Sequence, residues 1–156
     1  MDYIKEAYKE ACKAYKKGEV PVGAVIVKDN KIIARAHNNK ENTNDACGHA
    51  EMICIKKASK KLKDWYLKDC FMYVTLEPCL MCVGAIINSR IEKVYYGVSD
   101  PKGGVLGGLF NVLNQKGFNH YFEFECLNEE DCGKLLKNFF KERRIKKKAV
   151  ENGGKL

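Results

Sequence analysis

Long apolar runs are missing from this sequence. The nearest approach to one, Cys79 to Ile87, is nine residues, against the roughly 20 that a membrane-spanning helix needs. No transmembrane segment is therefore expected. An export signal is missing too, since Met1-Asp2-Tyr3-Ile4-Lys5 does not set a basic segment before an apolar one. Internal repeats, low-complexity stretches and linkers are also absent from the 156 residues. A single domain is expected over residues 1–150, followed by a frayed tail over 151–156. Arginine is scarce, with four residues against 24 lysines.

What the chain does have is enough apolar material for a core. A hydrophobic fraction of 46% excludes a disordered chain, and at this length about two-thirds of the unfolded surface is hidden on folding. Eight cysteines are present: Cys12, Cys47, Cys54, Cys70, Cys79, Cys82, Cys126 and Cys132. In a short secreted chain they would suggest disulfides. With no export signal and an ample core, reduced thiols in a cytoplasm are the expectation, some of them holding metal. Isolated cysteines read as small core hydrophobes. The net charge is +8, and from Lys141 onward seven basic residues face two acidic ones. A basic C-terminal region suggests a polyanionic partner, nucleic acid first. A lysine-rich solvated face explains the same charge equally well.

Periodicity places a helix over 2–17, where Ile4, Ala7, Tyr8, Ala11, Ala14 and Tyr15 recur at three- and four-residue spacing before Gly18. Val22–Val27 and Ile32–Ala34 read as strands joined by a tight Asp29-Asn30 turn. A polar loop over 38–48 leads into a helix over 49–62, with Met52, Ile53, Ile55 and Ala58 expected toward the core. Strands follow at 71–76, 91–98 and 121–126. A helix opens at Pro78, where the missing N–H is tolerated, and a long helix runs over 129–148. The loop 99–108 holds Pro101 and four glycines and is expected to be unusually flexible. Leu109–Leu113 is expected to form a short helix. Strands alternating with helices predict an α/β layered domain around a partly parallel sheet.

Two clusters carry chemistry. His49-Ala50-Glu51 and Pro78-Cys79-Leu80-Met81-Cys82 each fall at a predicted helix N-terminus. Cys79 and Cys82, three apart, share one helix face, and the helix dipole favours their thiolates. With the His49 imidazole they form a zinc ligand set that leaves one tetrahedral position open. Zinc lowers the pKa of a bound water from 15.7 toward about 7. Glu51, two residues from His49, would point about 200° away in mid-helix. At a helix end both side chains can lean over the terminus, which makes Glu51 a candidate proton shuttle rather than a ligand. A redox Cys-x-x-Cys pair and a closed site with Cys47 as fourth ligand are the alternatives. Taken together, His-x-Glu and Pro-Cys-x-x-Cys, with 27 positions from Glu51 to Pro78, match the zinc-deaminase signature.

The chain resembles the bacterial tRNA-specific adenosine deaminases, the TadA family, within the cytidine/deoxycytidylate deaminase superfamily. The resemblance is carried by Glu19-Val20-Pro21-Val22-Gly23-Ala24, Asn38, Thr75 through Cys82, Ser89-Arg90-Ile91, Asp100-Pro101-Lys102-Gly103-Gly104, Asn119-His120, and Phe139-Phe140 with Arg143-Arg144. It implies a three-layer α/β/α cytidine-deaminase-like domain with a central five-stranded mixed sheet. It further implies one Zn²⁺ per subunit, a cytoplasmic homodimer, and conversion of adenosine to inosine at the wobble position of a tRNA anticodon stem-loop. His49, Cys79 and Cys82 would hold the metal and Glu51 would be catalytic. Asn38, Pro78, Asp100, Lys102, His120, Phe140 and Arg143 would meet the substrate. A hydrolase acting on a free base or mononucleotide, and a zinc-stabilised RNA-binding module without catalysis, are the rival readings.

Overall fold

The computed structural model describes residues 1–153. Four helices surround one sheet: α1 (Tyr3–Lys16), α2 (Ala50–Leu62), α3 (Leu80–Ser89) and α4 (Glu130–Gly153). The strands are β1 (Gly23–Lys28), β2 (Lys31–His37), β3 (Cys70–Leu76), β4 (Lys93–Val98) and β5 (Glu123–Cys126), in the order β2-β1-β3-β4-β5. β1 runs antiparallel to both β2 and β3, whereas β3, β4 and β5 are parallel. The sheet is thus five-stranded and mixed, as expected. α1 and α4 touch one another and pack on one face, and α2 and α3 pair on the other, giving three layers.

Local chemistry explains the hairpin. Asp29 and Asn30 both adopt positive φ, 51° and 61°, the backbone that a two-residue turn between twisted strands requires. At the other end of β1 the α1 backbone approaches so closely that a Cβ on Gly23 would collide with the carbonyl of Ala7. Ile26, Met72 and Val74, from β1 and β3, are fully buried. Each such side chain contributes about 1.5–3 kcal/mol of transfer free energy. Tyr73 and Tyr95 pair in register across β3 and β4 with rings stacked 4.6 Å apart, and Tyr96 is buried, in keeping with a sheet role for both Tyr95 and Tyr96.

Several expectations are corrected. On α2, Ala58 is buried and Ile53 and Ile55 pack half-buried against the core as expected, but Met52 is only half-buried, and Ala50, Glu51 and Cys54 complete the buried face. Small residues at four-residue spacing let α2 lie close to β1 and β2. Pro78 precedes α3 rather than opening it, because Cys79 is the N-cap. A single 3₁₀ turn at Val112–Asn114 replaces the short helix. β4 and β5 begin two residues later than the apolar pattern suggested, because Ile91 and Phe122 are buried outside the strands. α4 continues through Glu151–Gly153, where fraying was expected, and residues 154–156 of that tail lie outside the described residues.

The topology decides where chemistry can occur. Because β1 is antiparallel to its neighbours, its start lies at the same sheet edge as the ends of β2, β3 and β4. The segments 19–22, 38–49, 77–79 and 99–108 therefore meet at one edge, although they are far apart in sequence.

Candidate active site

His49 and Cys79 are both N-cap residues, of α2 and α3 respectively. Each has an extended backbone, and neither side chain caps its own helix. Both side chains can therefore reach beyond the helix end, and Cys82 joins them from the first turn of α3. His49 Nδ1 stands 3.6 Å from Cys79 Sγ and 3.6 Å from Cys82 Sγ. With Zn–S near 2.3 Å and Zn–N near 2.0–2.1 Å, a tetrahedral ion sets its sulfur and nitrogen ligands about 3.5–3.6 Å apart. The donor set and its spacing both fit zinc. Among the described residues no further His, Cys, Asp or Glu joins this group. Cys47 is exposed and outside it, its N–H bonded to Asp45 Oδ1 at 2.9 Å.

The electrostatics favour an ion. Cys79 is held down at about 4, first by the hydrogen bond from the Cys82 thiol and then by His49, against the opposing effect of burial. That same bond and burial push the Cys82 thiol up. His49 is raised, chiefly by its hydrogen bond with Cys79. A thiolate and an imidazole already face each other at the positive end of a helix. Glu51, 4% exposed, is pushed up to about 7 by burial. Its carboxyl therefore holds a proton near neutrality and can release it.

The cleft beside these groups has a volume of about 270 Å³ and is lined by Asn38, His49, Glu51, Cys79, Asp100 and Arg143, among others. That is near the lower end of small-ligand pockets, about 300–1,000 Å³. Asn38 Oδ1 accepts the Ala50 N–H at 2.8 Å, so Asn38 caps the helix that presents His49 and Glu51. Asp100 Oδ1 accepts the N–H groups of Lys102 and Gly103. Asp100 also borders an adjoining hollow together with Lys102, Phe140 and Arg144. The Arg143 guanidinium lies over the Phe139 ring at 5.2 Å. Pro78 is buried and does not itself line the cleft, although its neighbours Glu77 and Cys79 do, and its carbonyl accepts the Val105 N–H at 3.1 Å. His120 is not brought to the site. Its ring makes a 2.7 Å hydrogen bond to the Ile91 carbonyl, before β4 and so at the opposite edge of the sheet.

Two residues that matter here carried part of the resemblance but were given no role from the sequence. Glu19, 1% exposed, lines the cleft and accepts the Glu41 N–H with both carboxylate oxygens, at 2.6 and 3.1 Å. Glu77, 3% exposed, lines it from the other side. The available signal was an acid one or two residues before a proline at a strand boundary, in Glu19-Val20-Pro21 and Leu76-Glu77-Pro78. Glu77 also overturns the expected flexibility of the 99–108 loop, because four of that loop's donors end on its carboxylate.

Residues 1–144 match the MafB19-like deaminase family. A tRNA-specific adenosine deaminase of Bacillus subtilis (strain 168) is 53% identical, over 95% of this chain and 92% of its own length. One from Aquifex aeolicus (strain VF5) is 46% identical, over 91% and 94%. Among solved structures, one from a study of A-to-I editing by tRNA:A34 deaminases at the wobble position superimposes with a TM-score of 0.81 at 38% identity, over 86% of this chain and 98% of that one. A guanine deaminase from Bacillus subtilis gives a TM-score of 0.61 at 32% identity, over 91% and 92%. On identity and coverage of this order, the chain belongs to the tRNA-specific adenosine deaminases, within the MafB19-like deaminase family.

Proposed function

We propose that this chain is a zinc-dependent hydrolase that converts adenosine to inosine at the wobble position of tRNA anticodons, consuming water and releasing ammonia. The observation that carries this reading is the His49–Cys79–Cys82 triangle with a buried, proton-holding carboxyl beside it in one cleft. Those three residues would hold one zinc per subunit, and the ion, when bound, supplies the Lewis acidity that makes water a nucleophile near neutral pH. Glu51 accepts a proton, delivers it to a ring nitrogen of the purine, and then carries another to the departing amine. A carboxyl titrating near 7 suits both directions of transfer. Asn38 donates from its NH₂ to the nucleoside, while Pro78 packs behind the base. The base must be splayed from the anticodon loop to enter a cleft this small. Arg143 at its mouth, and Lys102 and Phe140 in the adjoining hollow, offer charge and a stacking face to the flanking nucleotides. Asp100 orders the loop that presents Lys102.

A cytoplasmic homodimer completes the reading. Leu80, Leu109 and Phe110 are 59%, 58% and 48% exposed, and large exposed apolar side chains suit a surface that a second copy covers. No described helix is long and apolar enough to cross a membrane.

The test offers the zinc-loaded protein an adenosine-bearing anticodon stem-loop, free guanine and free nucleosides. Inosine in the stem-loop is expected. Turnover confined to free guanine would replace this reading with that of the guanine deaminase likeness. Lys146, Lys147 and Lys148 are exposed along α4. Replacing all three with alanine is expected to weaken stem-loop binding and flatten its salt dependence. The slope is expected to change by about 0.7–0.9 for each phosphate that is no longer neutralised, read from binding titrations at several salt concentrations.

A further inference from the structure

The hydrogen bonds that the Glu77 carboxylate accepts all come from one loop. Oε1 accepts Ser99 Oγ–H at 2.9 Å and the Asp100 N–H at 3.1 Å. Oε2 accepts the N–H groups of Leu106 at 2.8 Å and Gly108 at 2.9 Å. Among the described residues, no lysine, arginine or histidine bonds to this carboxylate. A buried carboxylate without a counter-charge is expensive unless hydrogen bonds satisfy it, and here four donors do so. The loop is shaped to allow this. A Cβ on Gly104 would collide with the Glu77 carboxylate, and one on Gly108 would lie 2.7 Å from Oε1. These glycines therefore serve close approach rather than flexibility. Glu77 is also two residues from Cys79, and its own N–H donates to the Val98 carbonyl at 2.9 Å. One side chain thus joins the metal-ligand segment to the cleft wall that carries Asp100 and Lys102.

We propose that Glu77 is a positioning residue that holds the 99–108 wall in register with Cys79 and thereby sets how tightly the anticodon loop is gripped, an inference that rests on the tRNA reading above. It does not touch the reacting atoms. Its expected signature is a change in substrate affinity with the metal retained.

The experiment uses Glu77→Gln. The amide has nearly the same shape, so a merely space-filling role would survive. It keeps one acceptor oxygen and turns an NH₂ toward two N–H donors. Amide exchange across 99–108 is expected to rise by about tenfold or more, the scale of one charge-assisted hydrogen bond. KM for the stem-loop should rise by about the same factor, kcat should change less, and zinc content should stay at one per chain. Gly104→Ala, which displaces the carboxylate without removing it, should give the same pattern. Ser99→Ala removes one donor and should give a weaker version of it, which keeps the test informative if Glu77→Gln does not fold. Wild-type exchange and KM in Glu77→Gln would overturn the proposal. Loss of zinc from that variant would also overturn it, because Glu77 would then act through Cys79. The exchange measurement needs no substrate. A wild-type protein inactive on the stem-loop would therefore sink the functional reading while leaving the loop-anchoring role separately testable.

Discussion

Replacing Glu51 with glutamine is expected to reduce stem-loop deamination by at least about 10²–10⁴-fold, the usual contribution of a positioned acid–base group, with zinc content unchanged. Glutamine fills the same space but cannot pick up and hand over protons. The carboxyl is buried beside the metal ligands without belonging to their donor group, so the metal has no reason to leave. Zinc loss from this variant would mean that Glu51 is a ligand. A second measurement reads the same burial without any turnover. Glu51 has an ordinary value of 4.5 and is pushed up to about 7 in the fold. Between those values the folded chain binds more protons than the unfolded chain. In metal-free protein its contribution to stability is therefore full below about 4.5 and is lost as pH rises through about 7. For the metal-free parent, the urea unfolding midpoint should be lower at about pH 8 than at about pH 5. This part of the fall should be absent in Glu51→Gln.

Replacing His49 with alanine is expected to bring zinc content from one per chain to near zero and to leave no measurable deamination. Two sulfurs alone supply half of a tetrahedral shell. The apposed donors of His49, Cys79 and Cys82 then lose the ion that reconciles them, and a ligand bound only by the folded state stabilises that state. Wild-type protein stripped by a chelator and the His49→Ala variant should therefore unfold at closely similar temperatures, both below the zinc-loaded parent. A variant that kept stoichiometric zinc would show that other side chains complete the site.

The legible parts of the sequence were those in which cause and effect are close along the chain. His49 and Glu51 straddle one helix start, as do Cys79 and Cys82, so each cluster was legible from spacing, and their combination matched the zinc-deaminase signature. The Asp29-Asn30 turn was readable because positive φ at two successive positions restricts residue choice. The layered α/β domain with a partly parallel sheet followed from alternation of strand and helix, and the five-stranded mixed sheet from the resemblance. Errors arose where long-range packing overrode local pattern. Met52 belongs to an apolar stretch of α2, yet the sheet accepts the smaller Ala50, Cys54 and Ala58. The glycines of 99–108 promised mobility when read alone, and their real partner, Glu77, lies more than 20 residues upstream. The sequence also did not reveal that the His120 ring bonds to the Ile91 carbonyl, away from the cleft of its own chain.

By itself, then, the amino-acid order determined which atoms are available for chemistry: two thiols, one imidazole and one acid, each at the opening of a helix whose N-terminal dipole favours negative charge. It also determined the alternation that makes a layered α/β domain. Only the tertiary structure decided that these two helix ends face each other at 3.6 Å. It likewise decided that Glu19 and Glu77 brace the walls between which a nucleoside would sit. The reason is geometric. A strand running antiparallel to its neighbours turns segments from four parts of the chain to a common edge, and no local spacing records which of them will touch.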